Sequence, residues 1–138
     1  MDAFDADVLI YSAVPGHPLG RRVAALFRHA PDRFAGVGSV LLLPEVLGKP
    51  LLDGAVAEVR VLAGLLARLD LRPVDRATAE LATALTVKYG LRAADATHLA
   101  TAVAVGADRF LTNNQRDFSP LVAEVKVTYP ADLGIETP

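Results

Sequence analysis

The sequence predicts an α/β domain with a parallel sheet and helices on both of its faces. Short apolar segments with strand character alternate with segments whose apolar residues recur at helical spacing, a pattern typical of strands joined by crossover helices. The chain has 138 residues and 52% of them are hydrophobic, so it can bury the core of one domain. We therefore expect one folded unit over residues 1–138.

Two strands and three helices are expected in the first half of the chain. Propensity alone favours a strand from Ala3 to Tyr11, although the acids Asp5 and Asp7 interrupt its apolar run. A break is expected between Pro50 and Gly54, since proline and glycine disfavour regular structure. The other elements expected in this half are the helix Leu19–Ala30, the strand Phe34–Ser39, the helix Leu41–Leu47 and the helix Ala55–Leu69.

The second half is expected to contain three strands and two helices. Gly90 and Gly106 follow the two helical segments, where glycine favours a helix C-cap. The helix before Gly106 is rich in alanine, so it can lie close against a sheet. The predicted elements are the strand Leu71–Val74, the helix Arg76–Tyr89, the helix Ala93–Val105, the strand Arg109–Thr112, the polar turn Asn113–Gln115 and the strand Val125–Tyr129.

Composition and charge exclude several classes of protein. The chain has no cysteine, which rules out disulfides and thiolate metal sites. Its densest apolar run ends at Pro44, far short of the ~20 residues of a membrane-spanning helix, and the N-terminus is acidic, unlike a signal peptide. A cytoplasmic protein is therefore expected. With a formal net charge of −2, any nucleic-acid contact must be a local patch.

Three carboxylates stand at positions that local structure does not require. Asp5 follows the apolar pair Ala3–Phe4, Glu45 lies inside an apolar run, and Asp95 stands in the first turn of the alanine-rich helix. Ligands bind beyond the carboxyl ends of strands in an open parallel sheet, and ionisable groups are rarely buried without a partner. The alternative for Asp95 alone is a charge that stabilises its helix through the helix dipole, by ~0.3–1 kcal/mol.

These carboxylates would repel one another if the fold brought them together. Two unit charges ~4 Å apart interact by ~4 kcal/mol at an effective dielectric constant of about 20. A shared proton or a divalent cation relieves such repulsion, and Mg²⁺ and Mn²⁺ are hard ions that suit oxygen ligands. Zinc is not favoured, because His17, His29 and His98 are scattered. His98 lies one helical turn from Asp95 and is expected to be a packed or surface histidine.

Four segments carry recognisable motifs in order along nearly the whole chain. They are Phe4–Tyr11, Ser39–Leu47, Ala94–Thr112 and Thr112–Phe118. Together they resemble the PIN-domain ribonucleases that occur as toxins in bacterial and archaeal VapBC toxin–antitoxin pairs. The third segment, with Asp95 and the helix that follows it, is the closest match. Four motifs in order at suitable spacing are far more specific than any one of them.

The resemblance implies a three-layer α/β/α sandwich around a five-stranded parallel sheet. It places the end of the first strand at Asp5 and makes Val8–Tyr11 helical, which overrules the strand expected from propensity. It also implies metal-dependent endonucleolytic cleavage of RNA at a carboxylate cluster that holds Mg²⁺ or Mn²⁺. Carried over to this chain, the metal-binding and catalytic acids are Asp5, Glu45 and Asp95. The partners that the resemblance implies, besides the RNA substrate, are a cognate antitoxin and a second copy of the chain in a homodimer.

The chain departs from the family pattern near the expected metal site. Ala6 stands where the family usually has Thr or Ser, and Asn114 and Gln115 stand where a fourth Asp is expected. Asp117 matches another common acid of that loop, so we expect it to act as a further catalytic acid; the alternative is a helix cap. Asp7 stands where the family usually has Asn or Ser, and we expect it to add negative charge to the metal site. The alternative is that Asp7 is an acid in a surface turn.

Further polar side chains are expected to support the acids or to hold the substrate. The supporting side chains, all within the matched segments, are Asp7, Ser39, Thr112, Asn114 and Gln115. Basic residues flank the acidic segments, and a basic side chain can hold a phosphate electrostatically. Those expected to contact RNA phosphates are Arg92, Arg109 and Arg116; the alternative for each is solvated surface charge.

Two other functions are compatible with parts of the sequence. The segment Phe4–Asp7 resembles the nucleophile motif of haloacid-dehalogenase-type phosphotransferases, but that family needs a later lysine followed by an acidic pair. After Thr112 there is one lysine, Lys126, and no adjacent pair of acids. The stronger alternative is a PIN fold with an eroded acidic site that binds RNA or a protein without cleaving RNA, because the usual fourth acid is missing.

Overall fold

The computed structural model describes residues 1–134, which contain five strands and six α-helices. The last residues of the domain expected over residues 1–138 lie outside this range. The strands are β1 (Asp2–Phe4), β2 (Gly36–Ser39), β3 (Leu69–Arg72), β4 (Arg109–Leu111) and β5 (Lys126–Thr128). The α-helices are α1 (Ala6–Ser12), α2 (Pro18–His29), α3 (Leu42–Leu52), α4 (Val56–Leu66), α5 (Arg76–Tyr89) and α6 (Ala93–Ala104), and a short 3-10 helix follows at Pro130–Asp132. Within the described range, no helix has both the length and the apolar character needed to cross a membrane.

All five strands are parallel and form one sheet in the order β3-β2-β1-β4-β5. The chain starts in the centre of the sheet, extends outwards through β2 to β3, and then crosses back to add β4 and β5 on the other side of β1. The direction of winding therefore reverses at β1. In open parallel sheets the crevice at such a reversal is the usual ligand site. The predicted five-stranded parallel sheet is confirmed.

Helices cover the sheet on both faces, as predicted. Phe4 and Leu111 pack with α1, α2, α3 and α4 in one core, whereas their strand neighbours Ala3 and Phe110 pack with α5 and α6 in the other. Successive side chains of a strand point to opposite faces, which is why each short strand contributes to both cores. The protein is therefore a three-layer α/β/α sandwich.

The first strand is shorter than strand propensity predicts. It ends at Phe4, and Asp5 is the N-cap of α1, with its carboxylate accepting the N–H of Ala6 at 2.8 Å. The N–H of Asp5 still donates to the carbonyl of Leu111, at 2.9 Å. The strand expected from Ala3 to Tyr11 is therefore wrong, because this cap starts a helix whose apolar side chains fill the core. The boundary implied by the family resemblance is confirmed.

Helix α3 is longer than expected and runs through Pro50. Pro44 lies in its first turn, where proline is tolerated, and the helix continues to Leu52 rather than ending at Leu47. Pro50 removes one internal hydrogen bond, but its ring is buried, and that burial offsets part of the loss. The break expected between Pro50 and Gly54 therefore begins only after Leu52, and Gly54 has a φ of 67°, a left-handed conformation that favours glycine.

The boundary between α4 and β3 lies earlier in the chain than predicted. Helix α4 ends at Leu66, whereas the prediction extended it to Leu69. The strand begins at Leu69, two residues before the predicted start at Leu71. Contact with the chain entering β2 sets this boundary, since the N–H of Ala35 already donates to the carbonyl of Arg68 at 2.7 Å. Apolar spacing alone could not reveal it, because a leucine at this position fits either element.

Helix α6 lies directly on the sheet, as its small side chains predict. Ala96, Leu99, Ala100 and Ala102 are fully buried, and the helix contacts β1, β2 and β4. Gly106 follows with a φ of 68°, the left-handed conformation that commonly terminates a helix. The close approach of α6 brings its first turn to the edge of the sheet where β1 ends.

Candidate functional site

The carboxyl ends of β1 and β4 are neighbours at the reversal of the sheet, and a polar residue follows each strand. Asp5 follows β1 and Thr112 follows β4. The hydroxyl of Thr112 donates to Oδ2 of Asp5 at 2.8 Å, and both residues are buried. Burial raises the pKa of Asp5, although the nearby His98 and the hydrogen bonds from Thr112 and Ala6 oppose that rise. The structure thus holds one carboxylate firmly at the point where ligands bind in such sheets.

Asp7 links the first turn of α1 to the loop after β4. Its Oδ2 accepts the N–H of Asn113 at 3.0 Å, while its Oδ1 is buried without a hydrogen-bond partner among the described residues. Burial, followed by the charge of Asp5, raises the pKa of Asp7 from 3.8 to about 7. Asp7 is therefore not a free surface acid, because it shares the electrostatic environment of Asp5.

Asp95 extends this acidic group from the opposite helical layer. It lies in the first turn of α6 and is half-buried. Burial raises the pKa of Asp95, and the charges of Asp5, Asp117 and Glu45 raise it further, against the opposing effect of His98. Asp95 therefore lies within electrostatic reach of the acids that follow β1 and β4 and of the acid in the first turn of α3.

Glu45 is positioned through a histidine on α6. It lies in the first turn of α3 with its side chain 34% exposed, and its Oε1 is 3.1 Å from Nε2 of His98, whose side chain is fully buried. Burial alone lowers the pKa of His98, but the hydrogen bond with Glu45 and the charges of Asp5 and Asp95 outweigh burial and raise it overall. His98 was expected to be a packed or surface histidine; it is packed, and it also contacts a candidate site acid.

The loop after β4 is ordered by its own side chains. The amide of Asn114 donates to Oδ2 of Asp117 at 2.9 Å and its Oδ1 accepts the N–H of Asp117 at 3.2 Å, while the N–H of Asn114 donates to the hydroxyl of Thr112 at 3.1 Å. Gln115 is exposed, with no side-chain hydrogen bond in the described residues. Asp117 is also exposed, yet its charge affects Asp95, so the loop borders the acidic group.

Ser39 acts on the site through the start of α3. It is buried at the end of β2, and its hydroxyl accepts the N–H of Leu41 at 3.1 Å. This bond satisfies a backbone donor at the entry to the helix that carries Glu45. Ser39 therefore supports the geometry of that helix, and its side chain makes no hydrogen bond to the acids among residues 1–134.

The three arginines expected to contact RNA phosphates lie in different places. Arg92 is exposed at the N-cap position of α6, just before Asp95, and Arg116 is exposed in the loop that borders the acids. Arg109 instead lies at the amino end of β4, where its guanidinium pairs with both carboxylate oxygens of Asp2 at 2.9 and 2.8 Å. Because parallel strands run from that edge towards Asp5, the structure does not bring Arg109 to the acids. A cavity of about 790 Å³ beside Arg109 likewise lies away from them.

The acidic group suits a hydrated hard cation better than a closed metal cage. Within residues 1–134, no three His, Asp or Glu side chains lie close enough together to hold a metal ion. Mg²⁺, however, usually keeps several waters and binds through one or two carboxylates. Asp5 and Asp7 offer oxygen donors of the right kind, and Oδ1 of Asp7 is buried with no other partner. Together with the carboxylates of Glu45 and Asp95 in the same acidic group, these donors are therefore of the kind that binds Mg²⁺ or Mn²⁺, with water completing the coordination.

Comparison with known proteins gives a consistent result for the fold. The sequence model of the PIN domain matches residues 3–121. A toxin–antitoxin complex from Klebsiella pneumoniae contains a similar chain, with a TM-score of 0.73 and 24% identity over 94% of this chain and 98% of that one. A second similar chain, from the structure of FitAB bound to the IR36 DNA fragment, has a TM-score of 0.72 and 20% identity over 99% of this chain and 100% of that one. None of the curated proteins matches.

Proposed function

This chain belongs to the PIN-domain family, and on that basis we propose that it is a metal-dependent endoribonuclease, the toxin of a toxin–antitoxin pair. Its substrate would be RNA, and its place of action would be the cytoplasm. Membership of this family favours a nuclease over a haloacid-dehalogenase-type phosphotransferase. The family by itself indicates a nuclease in general. RNA as the substrate and a divalent metal ion are what we propose beyond it.

The observation that carries the proposal is the gathering of carboxylates from three segments at the reversal of the sheet. Asp5 and Asp7 accept hydrogen bonds from the loop after β4, and Glu45 bonds to His98, one helical turn from Asp95. Asp5, Asp7 and Asp95 all have raised pKa values, and in each case burial is joined by the charge of at least one other acid of the group. A purely structural role would not require like charges to be gathered at this edge, because like charges destabilise the folded state. A site that binds a divalent cation does require them.

We assign the metal-binding role to Asp5, Glu45 and Asp95, with Asp7 as a supporting oxygen donor. Bound Mg²⁺ or Mn²⁺ would supply an activated water and a polarised phosphate. Asp5 is held for this role by Thr112 and by the N–H of Ala6. Asp117 would act as a further catalytic acid at the border of the group.

Binding of RNA would rest on the two arginines beside the acids. Arg92 and Arg116 are exposed and lie next to the acidic group in the chain or in the loop, where they can hold phosphates as the backbone passes the carboxylates. Arg109 is not assigned this role, because its guanidinium is paired with Asp2 at the amino ends of the strands, away from the acids. The net charge of −2 is consistent with a local patch instead of a general basic surface.

We also propose a cognate antitoxin and a homodimer as partners. Both similar structures are complexes, one a toxin–antitoxin complex and the other FitAB bound to a DNA fragment. On this chain, apolar side chains are exposed on two neighbouring helices in sequence, Val56 and Val61 on α4 and Val87 on α5. A basic side chain of the antitoxin could then reach the acids and neutralise part of their charge.

The test is cleavage of single-stranded RNA by the purified chain in Mn²⁺ or Mg²⁺, with and without a chelator. Asp5→Asn keeps the size of the side chain and an oxygen acceptor, so it should abolish cleavage without unfolding the protein. Asp32→Asn is the matched control, since Asp32 is an exposed acid before β2, away from the carboxyl ends of the strands. Cleavage that survives Asp5→Asn at the wild-type rate would refute the assignment and point to a contaminating nuclease.

A non-catalytic PIN-fold module that binds RNA or a protein is the second candidate. The absence of a three-ligand cluster in residues 1–134 and the neutral amides of Asn114 and Gln115 favour it. In that case RNA would bind without being cut in any metal, and Asp5→Asn would leave binding unchanged or strengthen it by removing negative charge. The same preparations therefore separate the two candidates.

A further inference from the structure

His98 is the hydrogen-bond partner of the Glu45 carboxylate within residues 1–134. The imidazole is fully buried on α6, and its Nε2 lies 3.1 Å from Oε1 of Glu45. A carboxylate can only accept, so Nε2 carries the hydrogen in this contact. No other hydrogen bond or ion pair of the Glu45 carboxylate occurs among residues 1–134.

This contact joins the two helical layers across the edge of the sheet. Helix α3, which carries Glu45, packs through Leu42 and Val46 in the core on one face. Helix α6, which carries His98, packs through Ala96 and Leu99 in the core on the other face. The hydrogen bond therefore spans the end of the sheet, where the carboxyl ends of β1 and β4 meet.

Glu45 would not remain at this edge by packing alone. Its side chain is 34% exposed, and it lies in the first turn of α3. The preceding residue, Pro44, is also exposed, whereas the following residue, Val46, is buried. A glutamate has several rotamers, and without a partner most of them would place the carboxylate in water. The buried histidine, by contrast, has a fixed position because the core surrounds it.

We propose that His98 is a positioning residue that fixes the carboxylate of Glu45 at the carboxyl end of the sheet for metal binding. This inference rests on the proposed function, since Glu45 is assigned there as a metal-binding acid. His98 acts through Glu45 and does not touch the substrate. Partners that hold metal-binding carboxylates in this way commonly affect metal affinity or activity by ~10–100-fold when they are replaced.

The test compares Mn²⁺ affinity, measured by calorimetry on the full chain, across a small set of variants. His98→Leu removes the donor, and Glu45→Gln removes the charge that the donor holds. His98→Gln places an amide N–H near the former position of Nε2 and should restore part of the affinity. Thr101→Val is the control on the same helix, because Thr101 is equally buried and its hydroxyl donates only to the carbonyl of Thr97, at 2.9 Å.

If His98 positions Glu45, His98→Leu and Glu45→Gln should each weaken Mn²⁺ binding by roughly 10-fold or more, and the double variant should be no weaker than the worse single one. His98→Gln should recover much of the loss, and Thr101→Val should bind Mn²⁺ like the wild type even if it melts earlier. Losses that multiply in the double variant would overturn the proposal, because His98 would then act independently of Glu45. Wild-type affinity in His98→Leu would overturn it as well.

A metal-free measurement separates this inference from the proposed function. The unfolding free energies of His98→Leu, Glu45→Gln and the double variant, in chelator, form a double-mutant cycle. A coupling between the two substitutions is expected, and its absence would refute the contact itself. If the wild type neither binds Mn²⁺ nor cleaves RNA, the proposed function fails, and the role of His98 towards a metal fails with it, whatever the coupling.

Discussion

Replacement of Asp7 by asparagine should stabilise the metal-free protein, and the gain should grow with pH. The pKa of Asp7 is raised from 3.8 to about 7, first by burial and then by the charge of Asp5. The folded protein therefore holds a proton on Asp7 that the unfolded chain has already released. Below the unfolded pKa this group has no effect on stability, and the stability then falls as the pH rises towards 7.

The size of the effect follows from the two pKa values. One pKa unit corresponds to about 1.4 kcal/mol, so a shift of roughly 3 units costs up to about 4 kcal/mol at pH 8 and roughly 1.5 kcal/mol at pH 5. Local relaxation and solvent will reduce both values. Asparagine at position 7 cannot ionise, and its side-chain oxygen can still accept the N–H of Asn113, which now bonds Oδ2 of Asp7. We expect Asp7→Asn to gain about 1–3 kcal/mol more at pH 8 than at pH 5.

Urea denaturation at pH 5 and pH 8 in the presence of a chelator measures this difference. Asp32→Asn serves as the control for the loss of one exposed negative charge and should show the same small effect at both pH values. A gain for Asp7→Asn that is equal at pH 5 and pH 8 would refute the raised pKa. A loss that deepens at pH 8 would mean that the Asp7 carboxylate stabilises the fold, contrary to its burial beside Asp5.

Three further predictions concern metal binding and assembly. Mn²⁺ should raise the melting temperature of the wild type by mass action, which scanning calorimetry measures. Asp95→Asn should reduce nuclease activity at least ~100-fold in the RNA cleavage assay, while calorimetry should show the metal-free variant to be as stable as the wild type or more stable. Gln115→Asp or Asn114→Asp should lower the Mg²⁺ concentration needed for half-maximal cleavage, and Asp117→Asn should reduce cleavage; if all three are silent in a metal titration, this loop does not line the site. Sedimentation should show a dimer at micromolar concentration, and a monomer would remove that claim.

Much of the fold could be predicted because the signals that decide it are local. Alanine-rich α6 and the glycine that ends it were both visible in the sequence, and so was the polar residue after each central strand. The start of α1 was not visible from propensity, because Val8–Tyr11 suits a strand and only the capping of Ala6 by Asp5 decides for a helix. The passage of α3 through Pro50 likewise depends on burial of the ring, which apolar spacing does not report.

The candidate site was predictable in its positions but not in its contacts. Asp5 follows a parallel strand and Asp95 opens the helix that leads back to β4, so both could be expected at the edge where the strands end. The bond between Glu45 and His98 joins residues 53 positions apart in sequence, and no periodicity connects them. The pairing of Arg109 with Asp2 at the opposite edge was missed because Arg109 was grouped with the acids by its nearness in sequence, although it begins the predicted strand Arg109–Thr112.

The acids differ in how the fold holds them, and that difference explains how the fourth acid could be lost from the loop after β4. Asp5 is fixed by three bonds at once: its N–H donates into the sheet, and its carboxylate accepts from Ala6 and Thr112. The reversal of the sheet therefore dictates its place, and a change there would disturb strand, helix and site together. Glu45 lies in the first turn of α3 and Asp117 in the exposed loop after β4. Among the described residues, the carboxylate of Glu45 bonds to His98 and that of Asp117 to Asn114. Substitutions in such a loop cost the fold little, so a fourth acid can be lost there while the centre of the site is retained.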